Sequence, residues 1–265
     1  MRESQRRPRL NRRKIFLFLF IILAAFWGIH HFTATSPRLK SAWNKIILTS
    51  NNNVAIAVYS PKTHRIYTSS NKPNHKFHMA STVKVSILAG LLVKQGGSLS
   101  DHQRSLAKQM IEASDNNSTS ELFDDLGGQS GLQSTFNQFG MTDSTADSSW
   151  GLSTTTPKDQ VKLLNNIFYK SNLLSDNSRQ YINTLMSNVE SDQIWGVSAS
   201  SDNFALKNGW LENGSDKWII NSIGYVKNDN NTSYTIAMYS DKNQSMQTGE
   251  EVLNQLARVT KAVLD

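Results

Sequence analysis

The chain has 265 residues, no cysteine and a formal net charge of +7, which suggests one domain of ordinary size plus an appendage. The absence of cysteine excludes disulfides, thiol chemistry and a lipoprotein anchor. Residues 1–14 alone carry +6, from six arginines and one lysine against Glu3, and this leaves +1 for residues 15–265. The basic charge therefore belongs to one short arm, and a nucleic-acid partner for the body is not supported.

An apolar run from Ile15 to Ile29 follows the basic arm directly, and this order is typical of an export signal. The run is short for a membrane-spanning helix but long for the core of a signal peptide, and Phe32–Ser36 is only a weak cleavage site. We therefore predict a cytoplasmic basic arm over residues 1–14 and an uncleaved transmembrane signal-anchor over residues 15–33. The protein would be a single-pass cell-membrane protein with its body outside the cytoplasm. The alternatives are secretion after cleavage and a twin-arginine signal around Asn11–Phe16.

The segment after the anchor, residues 34–50, has the pattern of a stalk and an entry helix, with the helix over Ser41–Leu48. The body, residues 51–265, begins with two β-type runs, Val54–Tyr59 and Arg65–Thr68, separated by a Ser-Pro-Lys turn. This arrangement predicts a β-hairpin.

The rest of the body divides into a helical block and a strand-rich block. Helical patterns with glycine stops cover residues 101–113, 118–126, 129–139, 157–169 and 176–188. Three strands and a terminal helix follow, at Phe204–Lys207, Trp218–Val226, Ser233–Tyr239 and Gly249–Leu264. We therefore predict an α/β (α+β) fold, with one five-stranded antiparallel sheet flanked by N- and C-terminal helices and an all-helical lobe beside it. The functional site is expected in the cleft between the lobes.

A Ser-x-x-Lys spacing occurs three times, and the surrounding sequence selects Ser81 and Lys84. The copies at Ser69–Lys72 and Ser105–Lys108 lie in a polar turn and on the wet face of a helix, whereas Ser81 leads into the apolar run Val85–Val93. Residues three apart share a helix face, so a desolvated lysine amine beside the hydroxyl can take its proton. The alternative is that Ser81 is an N-cap and Lys84 a surface lysine.

Two further motifs would complete a site around Ser81. Of three Ser-Asp-Asn copies, Ser114-Asp115-Asn116 lies in a loop between two predicted helices and could face the cleft. Lys207-Asn208-Gly209-Trp210 follows on the first late strand. Its lysine could place a cation against a substrate carboxylate, with close backbone approach at Gly209. The alternative is a strand that ends in an Asn-Gly turn.

With these three motifs in this order, residues 50–265 resemble the serine beta-lactamase and penicillin-binding protein superfamily, and most closely the class A beta-lactamase-like serine hydrolases. The resemblance implies that Ser81 is the acylated nucleophile and that Lys84 activates it. It also implies that Ser114 relays a proton to the leaving nitrogen and that Lys207 supports Ser114 and a substrate carboxylate. Asn116 would bind the substrate amide and Lys84.

The resemblance further places the oxyanion hole at the backbone N–H groups of Ser81 and Trp210, and counts Asn208 and Gly209 as substrate-binding. Three departures accompany it. Asn208 replaces the family's threonine or serine, and the chain between Ser81 and Ser114 is shorter than in the family pattern. The third departure is that residues 141–153, the counterpart of the family's omega loop, contain no glutamate and no E-x-x-L-N pattern.

That missing glutamate bears on turnover, because class A enzymes use it to activate the water that releases the acyl group. Asp143 or Asp147 could replace it, or both could be turn-forming residues of a Ser/Thr-rich loop. The leading hypothesis is a membrane-anchored, extracytoplasmic serine hydrolase acting on beta-lactams or cell-wall peptide amide bonds, with doubtful deacylation.

Two other functions remain open, namely a non-catalytic cell-wall binding or sensing module and a carboxylesterase that uses the same Ser/Lys pair. No cofactor is implied. No metal site is indicated, because the six histidines lack ligand spacing.

Overall fold

The structure is a computed structural model that describes residues 35–212, 214, 217–228 and 232–265. The predicted arm and signal-anchor, residues 1–14 and 15–33, lie outside the described residues. None of the helices from residue 35 onward combines the length and the apolar composition that a membrane crossing requires.

A five-stranded antiparallel sheet forms the centre of the molecule, as predicted, and a two-stranded pair lies beside it. The strands in chain order are β1 (Asn53–Ser60), β2 (Arg65–Ser70), β3 (Phe77–His78), β4 (Thr154–Thr155), β5 (Phe204–Glu212), β6 (Trp218–Lys227) and β7 (Ser233–Asn243). The large sheet has the order β2-β1-β7-β6-β5, and β3 pairs with β4. Both ends of the chain therefore build the sheet, and β5 is one of its edges.

The described residues form eight α-helices. They are α1 (35–47), α2 (Val83–Lys94), α3 (Asp101–Glu112), α4 (Asn116–Leu126), α5 (Gly128–Gln138), α6 (Pro157–Phe168), α7 (Asp176–Ser187) and α8 (Met246–Leu264). Side chains of β1 alternate between two cores, because successive residues of a strand point to opposite faces. Val54 and Ile56 pack with α1 and α8, whereas Ala55 and Ala57 pack with the core around α2.

Two predicted elements differ in extent from the structure. The entry helix already covers residue 35 rather than beginning at Ser41, because Leu39 belongs to the same buried face as Trp43. Strand β5 continues through Asn208 and Gly209 to Glu212 instead of ending at Lys207. In the sheet register Asn208 pairs with Ser222, so the reading of Asn208-Gly209 as a turn is wrong.

Trp43 joins the two helices that cover one face of the sheet. Its side chain is completely buried, and its Nε1 donates a hydrogen bond of 2.8 Å to Thr260 Oγ1 on α8. A buried indole that fills a core and also satisfies its N–H contributes both packing and polar stabilisation.

We expect Trp43→Ala to lower the free energy of unfolding by about 3–5 kcal/mol, because it leaves a large cavity between α1 and α8. The control is Leu48→Ala, just beyond α1, because the Leu48 side chain is 68 % exposed. That change should cost less than about 0.5 kcal/mol. Urea denaturation followed by circular dichroism measures both values. Equal losses for the two variants would contradict the packing assigned to Trp43.

Candidate active site

A cleft of about 470 Å³ opens between the start of α2, helix α4, residues 148–152 and the edge strand β5. Its lining residues are Ala80, Ser81, Asn116, Ser120, Phe123, Asp124, Ser148, Ser149, Trp150, Gly151, Leu152, Trp210 and Leu211. Three predicted site residues, Ser81, Asn116 and Trp210, are among them.

Ser81 lies in a tight 3-10 turn, Ala80–Thr82, that leads into α2. The turn begins with Ala80 at φ +46, a left-handed conformation that a residue with a side chain rarely adopts. It is fixed by Thr82, whose Oγ1 lies 2.7 Å from both Met79 O and Tyr239 Oη. No side chain caps this turn or α2, so the N-cap alternative for Ser81 is wrong.

Lys84 is completely buried and its amine faces the Ser-Asp-Asn motif. Its Nζ donates to Ser114 O at 2.6 Å, to Asn116 Oδ1 at 2.9 Å and to Ser114 Oγ at 3.1 Å. The ring of Trp150, from the loop before β4, lies 5.1 Å from the same Nζ, within the range of a cation–π contact. The alternative reading of Lys84 as a surface lysine is therefore wrong.

The local backbone aims Ser114 at this amine. Ser114 has φ +57 and follows α3, and the next residue, Asp115, caps α4 by accepting a 2.6 Å hydrogen bond from Ser118 N. The sharp reversal leaves both the carbonyl and the hydroxyl of Ser114 free to face Lys84. Asn116 is the first residue of α4 and adds its side-chain oxygen.

Lys207 approaches the same hydroxyl from the sheet. Its Nζ donates to Ser114 Oγ at 2.9 Å, to Gln193 Oε1 at 3.0 Å and to Asn208 O at 3.1 Å. The Lys207 side chain is completely buried in β5. One serine hydroxyl therefore lies between two lysine amines, one from the helical lobe and one from the sheet.

The electrostatics of the two amines follow from this burial. Burial lowers the pKa of Lys84 from 10.5 to about 7, and the charge of Asp115 acts in the opposite direction. Burial also holds the pKa of Lys207 well below its usual range; the charge of Lys84 lowers it further, and Asp192 opposes this. An uncharged amine is therefore accessible near neutral pH, which acceptance of a proton requires.

The structure does not bring every predicted residue together. Among the described residues, Ser81 Oγ makes no hydrogen bond with Lys84, whose donors are directed at Ser114 and Asn116. Asn208 is buried away from the cleft lining, and its Nδ2 donates to Gln193 O at 2.7 Å and to Trp195 O at 3.1 Å. Asn208 thus fixes the loop before β5 instead of facing the cleft.

Gly209 sets the distance between β5 and the Ala80–Thr82 turn. A Cβ at this position would lie 2.8 Å from both Ser81 N and Thr82 N, and 3.0 Å from Met79 O. These neighbours are backbone atoms that cannot move aside, so only glycine permits this approach. The contact holds the backbone of Trp210, the next residue, at the cleft beside Ser81.

Two residues of the site were not predicted. Gln193 is buried and bridges the network, since its Oε1 accepts from Lys207 and its Nε2 donates to Glu112 O at 3.1 Å. Trp150 covers Lys84, and its Nε1 donates to Ser120 Oγ at 3.3 Å. A lone tryptophan in a Ser/Thr-rich loop is a signal for a ligand-facing aromatic residue, but no spacing marks Gln193.

The loop aspartates do not line the cleft. Asp147 Oδ1 accepts a 2.7 Å hydrogen bond from Ser149 N within the loop, as expected of a turn-forming residue. Asp143 lines a different cavity. Of the described residues that line the cleft, Asp124, on α4, is the one with a carboxylate. Among the described residues, no three histidine or carboxylate side chains come close enough to hold a metal ion.

Residues 98–264 match the family model described as the beta-lactamase enzyme family, which is more than half of the chain. The chain belongs to this family. The match begins after Ser81 and Lys84 and includes Ser114 and Lys207. The family and the fold together identify a serine hydrolase of the class A beta-lactamase-like type. No curated protein sequence matches the chain.

Solved structures share the fold at low sequence identity. A class A beta-lactamase from Bacteroides cellulosilyticus gives a TM-score of 0.74 at 16% identity, covering 87% of this chain and 98% of that chain. A variant of the TLA-1 extended-spectrum beta-lactamase gives a TM-score of 0.74 at 19% sequence identity, covering 86% of this chain and 99% of that chain. The protein PBP-A gives a TM-score of 0.71 at 20% sequence identity, covering 84% of this chain and 94% of that chain. The predicted fold class is therefore confirmed.

We expect Trp150→Ala to raise the pKa of Lys84 from about 7 toward its ordinary value, because the entry of water to the amine outweighs the loss of the cation–π contact. Trp150→Phe is the matched control, because it keeps an apolar ring over the amine and should leave the pKa nearly unchanged. Carbon NMR titration of lysine labelled at the ε-carbon measures the midpoint, and Lys84→Met identifies the signal by its loss. An unchanged midpoint in Trp150→Ala would show that Trp150 does not desolvate Lys84.

Proposed function

We propose that this family member is a membrane-anchored, extracytoplasmic acyl-transfer enzyme that opens amide bonds of beta-lactams or cell-wall peptides through an acyl-Ser81 intermediate. The observation that carries the proposal is the hydrogen-bonded chain Lys84 Nζ–Ser114 Oγ–Lys207 Nζ beside the cleft that Ser81 lines. The family match supports the hydrolase class. A variant of PBP-A, which shares the fold, is described as an acyl-enzyme complex with penicillin G.

Acylation would use Lys84 as the base. Its lowered pKa gives an uncharged fraction at neutral pH, and that amine would take the proton of Ser81 Oγ as the oxygen attacks the substrate carbonyl. The backbone N–H groups of Ser81 and Trp210 would stabilise the resulting oxyanion. Ser114 would pass the proton from Lys84 to the leaving nitrogen, because its hydroxyl lies 3.1 Å from that amine.

The sheet side of the cleft would attract a negatively charged group of the substrate. Lys207 lies behind Ser114 with no carboxylate bound to its amine among the described residues. Burial lowers the pKa of Lys207, and a substrate carboxylate in the cleft would favour its protonated form, whose positive potential would then act on that carboxylate. Asn116, at the cleft, would bind a substrate amide as well as Lys84. A beta-lactam and a peptide with a terminal carboxylate both carry an amide and a carboxylate.

Release of the acyl group would be slow in this enzyme. Hydrolysis needs a base that activates water, and in the family this is a loop glutamate that residues 141–153 lack. Trp150 instead covers Lys84 on the loop side. An apolar ring neither accepts a proton from water nor orients it, so the acyl-enzyme would accumulate.

The membrane anchor is the second part of the proposal. It is supported by the basic arm at 1–14 followed by the apolar run Ile15–Ile29, which by the positive-inside rule leaves the body outside the cytoplasm. An enzyme acting on cell-wall peptides needs this location.

We expect benzylpenicillin to add its whole mass to the protein at Ser81, as seen by intact and peptide mass spectrometry. Ser81→Ala should abolish the adduct. The matched control is Ser105→Ala, another Ser-x-x-Lys serine, which should leave labelling unchanged. Ser114→Ala should slow labelling by about a hundredfold or more, because the proton relay is lost.

Other outcomes of this experiment favour the two alternative functions. Absence of any adduct together with Ser81-dependent hydrolysis of a nitrophenyl ester would indicate a carboxylesterase. Absence of both reactions, with a cellular phenotype that survives Ser81→Ala but not Trp210→Ala, would indicate a non-catalytic cell-wall module.

We further expect the adduct to persist long after excess penicillin is removed, and its lifetime to be unchanged in Asp147→Asn, because Asp147 is engaged with Ser149 N. Time-resolved intact mass spectrometry measures the loss. Asp124→Asn is the informative comparison, since Asp124 is the carboxylate in the cleft lining. If the wild-type protein loses the adduct rapidly and Asp147→Asn loses it more slowly, the assignment of Asp147 to loop folding is refuted. Rapid loss that slows in Asp124→Asn would assign water activation to α4.

A further inference from the structure

A second and larger cavity has a set of described lining residues that does not overlap with that of the active-site cleft. Its volume is about 690 Å³, and it lies between α1, the connection from β2 to β3, and the start of α6. Four lysines line it, Lys40, Lys72, Lys76 and Lys158, against one lining carboxylate, that of Asp143. We call this cavity the lysine groove.

The lysine groove concentrates positive charge on a body that is almost neutral. The four lysines and Asp143 give the groove a net charge of +3, whereas residues 15–265 as a whole carry +1. All four lysines are exposed, and none forms an ion pair with a described residue. Of the acidic residues beside the lining, Asp241 is paired with His75 at 2.5 Å, and the buried Asp159 is paired with Lys162 at 2.7 Å. The amines are therefore available to an anionic ligand.

We propose that the lysine groove binds a linear polyanion built of phosphate groups. Lysine is a point-charge donor suited to phosphate oxygens, and two threonines, Thr68 and Thr156, line the same cavity. Solvated lysines hold a single phosphate weakly, so stable binding requires a ligand with several charges in a row. The two walls, from Lys40 on α1 and Lys158 on α6, would contact such a chain from both sides.

The shape and composition of the groove argue against two other anionic partners. A bilayer surface is flat and meets protruding surfaces, whereas these lysines surround a concavity. Single-stranded nucleic acid is held by stacking on aromatic rings as well as by charge, and no Phe, Tyr or Trp is found among the described residues that line the groove. A flexible phosphate chain needs neither a flat contact nor stacking.

The test is lysine footprinting of the full chain in a nonionic detergent. The protein is acetylated with and without a short linear inorganic polyphosphate, and each lysine is read by peptide mass spectrometry. We expect Lys40, Lys72, Lys76 and Lys158 to be protected by about threefold or more at low salt, with protection lost at high salt. Lys170 and Lys227, exposed lysines outside the groove, should react as before. Because each peptide is read separately, the basic arm does not obscure the result.

Charge-reversal variants distinguish binding in the lysine groove from attraction by the net charge of the protein. Lys72→Glu/Lys158→Glu should abolish protection at Lys40 and Lys76, whereas the matched pair Lys170→Glu/Lys227→Glu, with the same change in net charge, should retain it. Both pairs should keep penicillin labelling at Ser81 if the proposed function is correct. If polyphosphate protects the groove lysines of the wild-type protein but penicillin does not label Ser81, only the proposed function is overturned.

Four results would overturn the lysine groove proposal. They are no protection by polyphosphate, equal protection of Lys170 and Lys227, equal loss in the two charge-reversal pairs, and stronger protection by polyglutamate. Protection by phosphatidylglycerol-containing vesicles but not by soluble polyphosphate would assign the lysines to a membrane surface instead.

Discussion

The site depends on two buried lysine amines that share the hydroxyl of Ser114. Burial of a charged amine costs several kcal/mol, so each must be surrounded by acceptors or stay neutral. Here Asn116 Oδ1 and Ser114 O serve Lys84, and Gln193 Oε1 serves Lys207. These acceptors come from the junction of α3 and α4 and from the loop before β5. The helical lobe and the sheet are thus joined by polar contacts across the cleft.

The triplet Lys207-Asn208-Gly209 explains how the edge strand carries this junction. Three successive residues bind three different parts of the protein. Lys207 reaches Ser114, Asn208 ties down the loop containing Gln193, and Gly209 packs against the backbone of Ser81. The Ala80–Thr82 turn packs against β5 at Gly209, on the side where a side chain would project from the strand. Asn208 stands where the resemblance leads us to expect a threonine or serine. Its amide holds the loop before β5 in place, and the triplet has no hydroxyl at this position.

The sequence predicts the sheet and the helices well because their patterns are local. The alternation in β1 and the helical periods of the middle block follow from which residues face the core. The contacts of Lys84 could not be predicted in the same way. Spacing places Ser81 and Lys84 on one helix face, but the direction of a flexible amine depends on its acceptors, and those lie 30 and 32 residues further along the chain. Gln193 went unnoticed for the same reason, since only tertiary packing gives it a role.

In the reaction we propose, acylation and release of the acyl group would use different parts of the fold. The amines come from α2 and β5, whereas a water-activating group must come from the loop or from α4. Carboxylates in and beside the loop are engaged in folding it. Asp159, on α6, accepts from Asp143 N at 2.7 Å and from Ser144 Oγ at 3.0 Å, and Asp147, in the loop, accepts from Ser149 N. In the reaction we propose, Trp150 would shield the Lys84 amine on the loop side, while the contacts among Lys84, Ser114 and Lys207 are made by α2, the junction of α3 and α4, and β5.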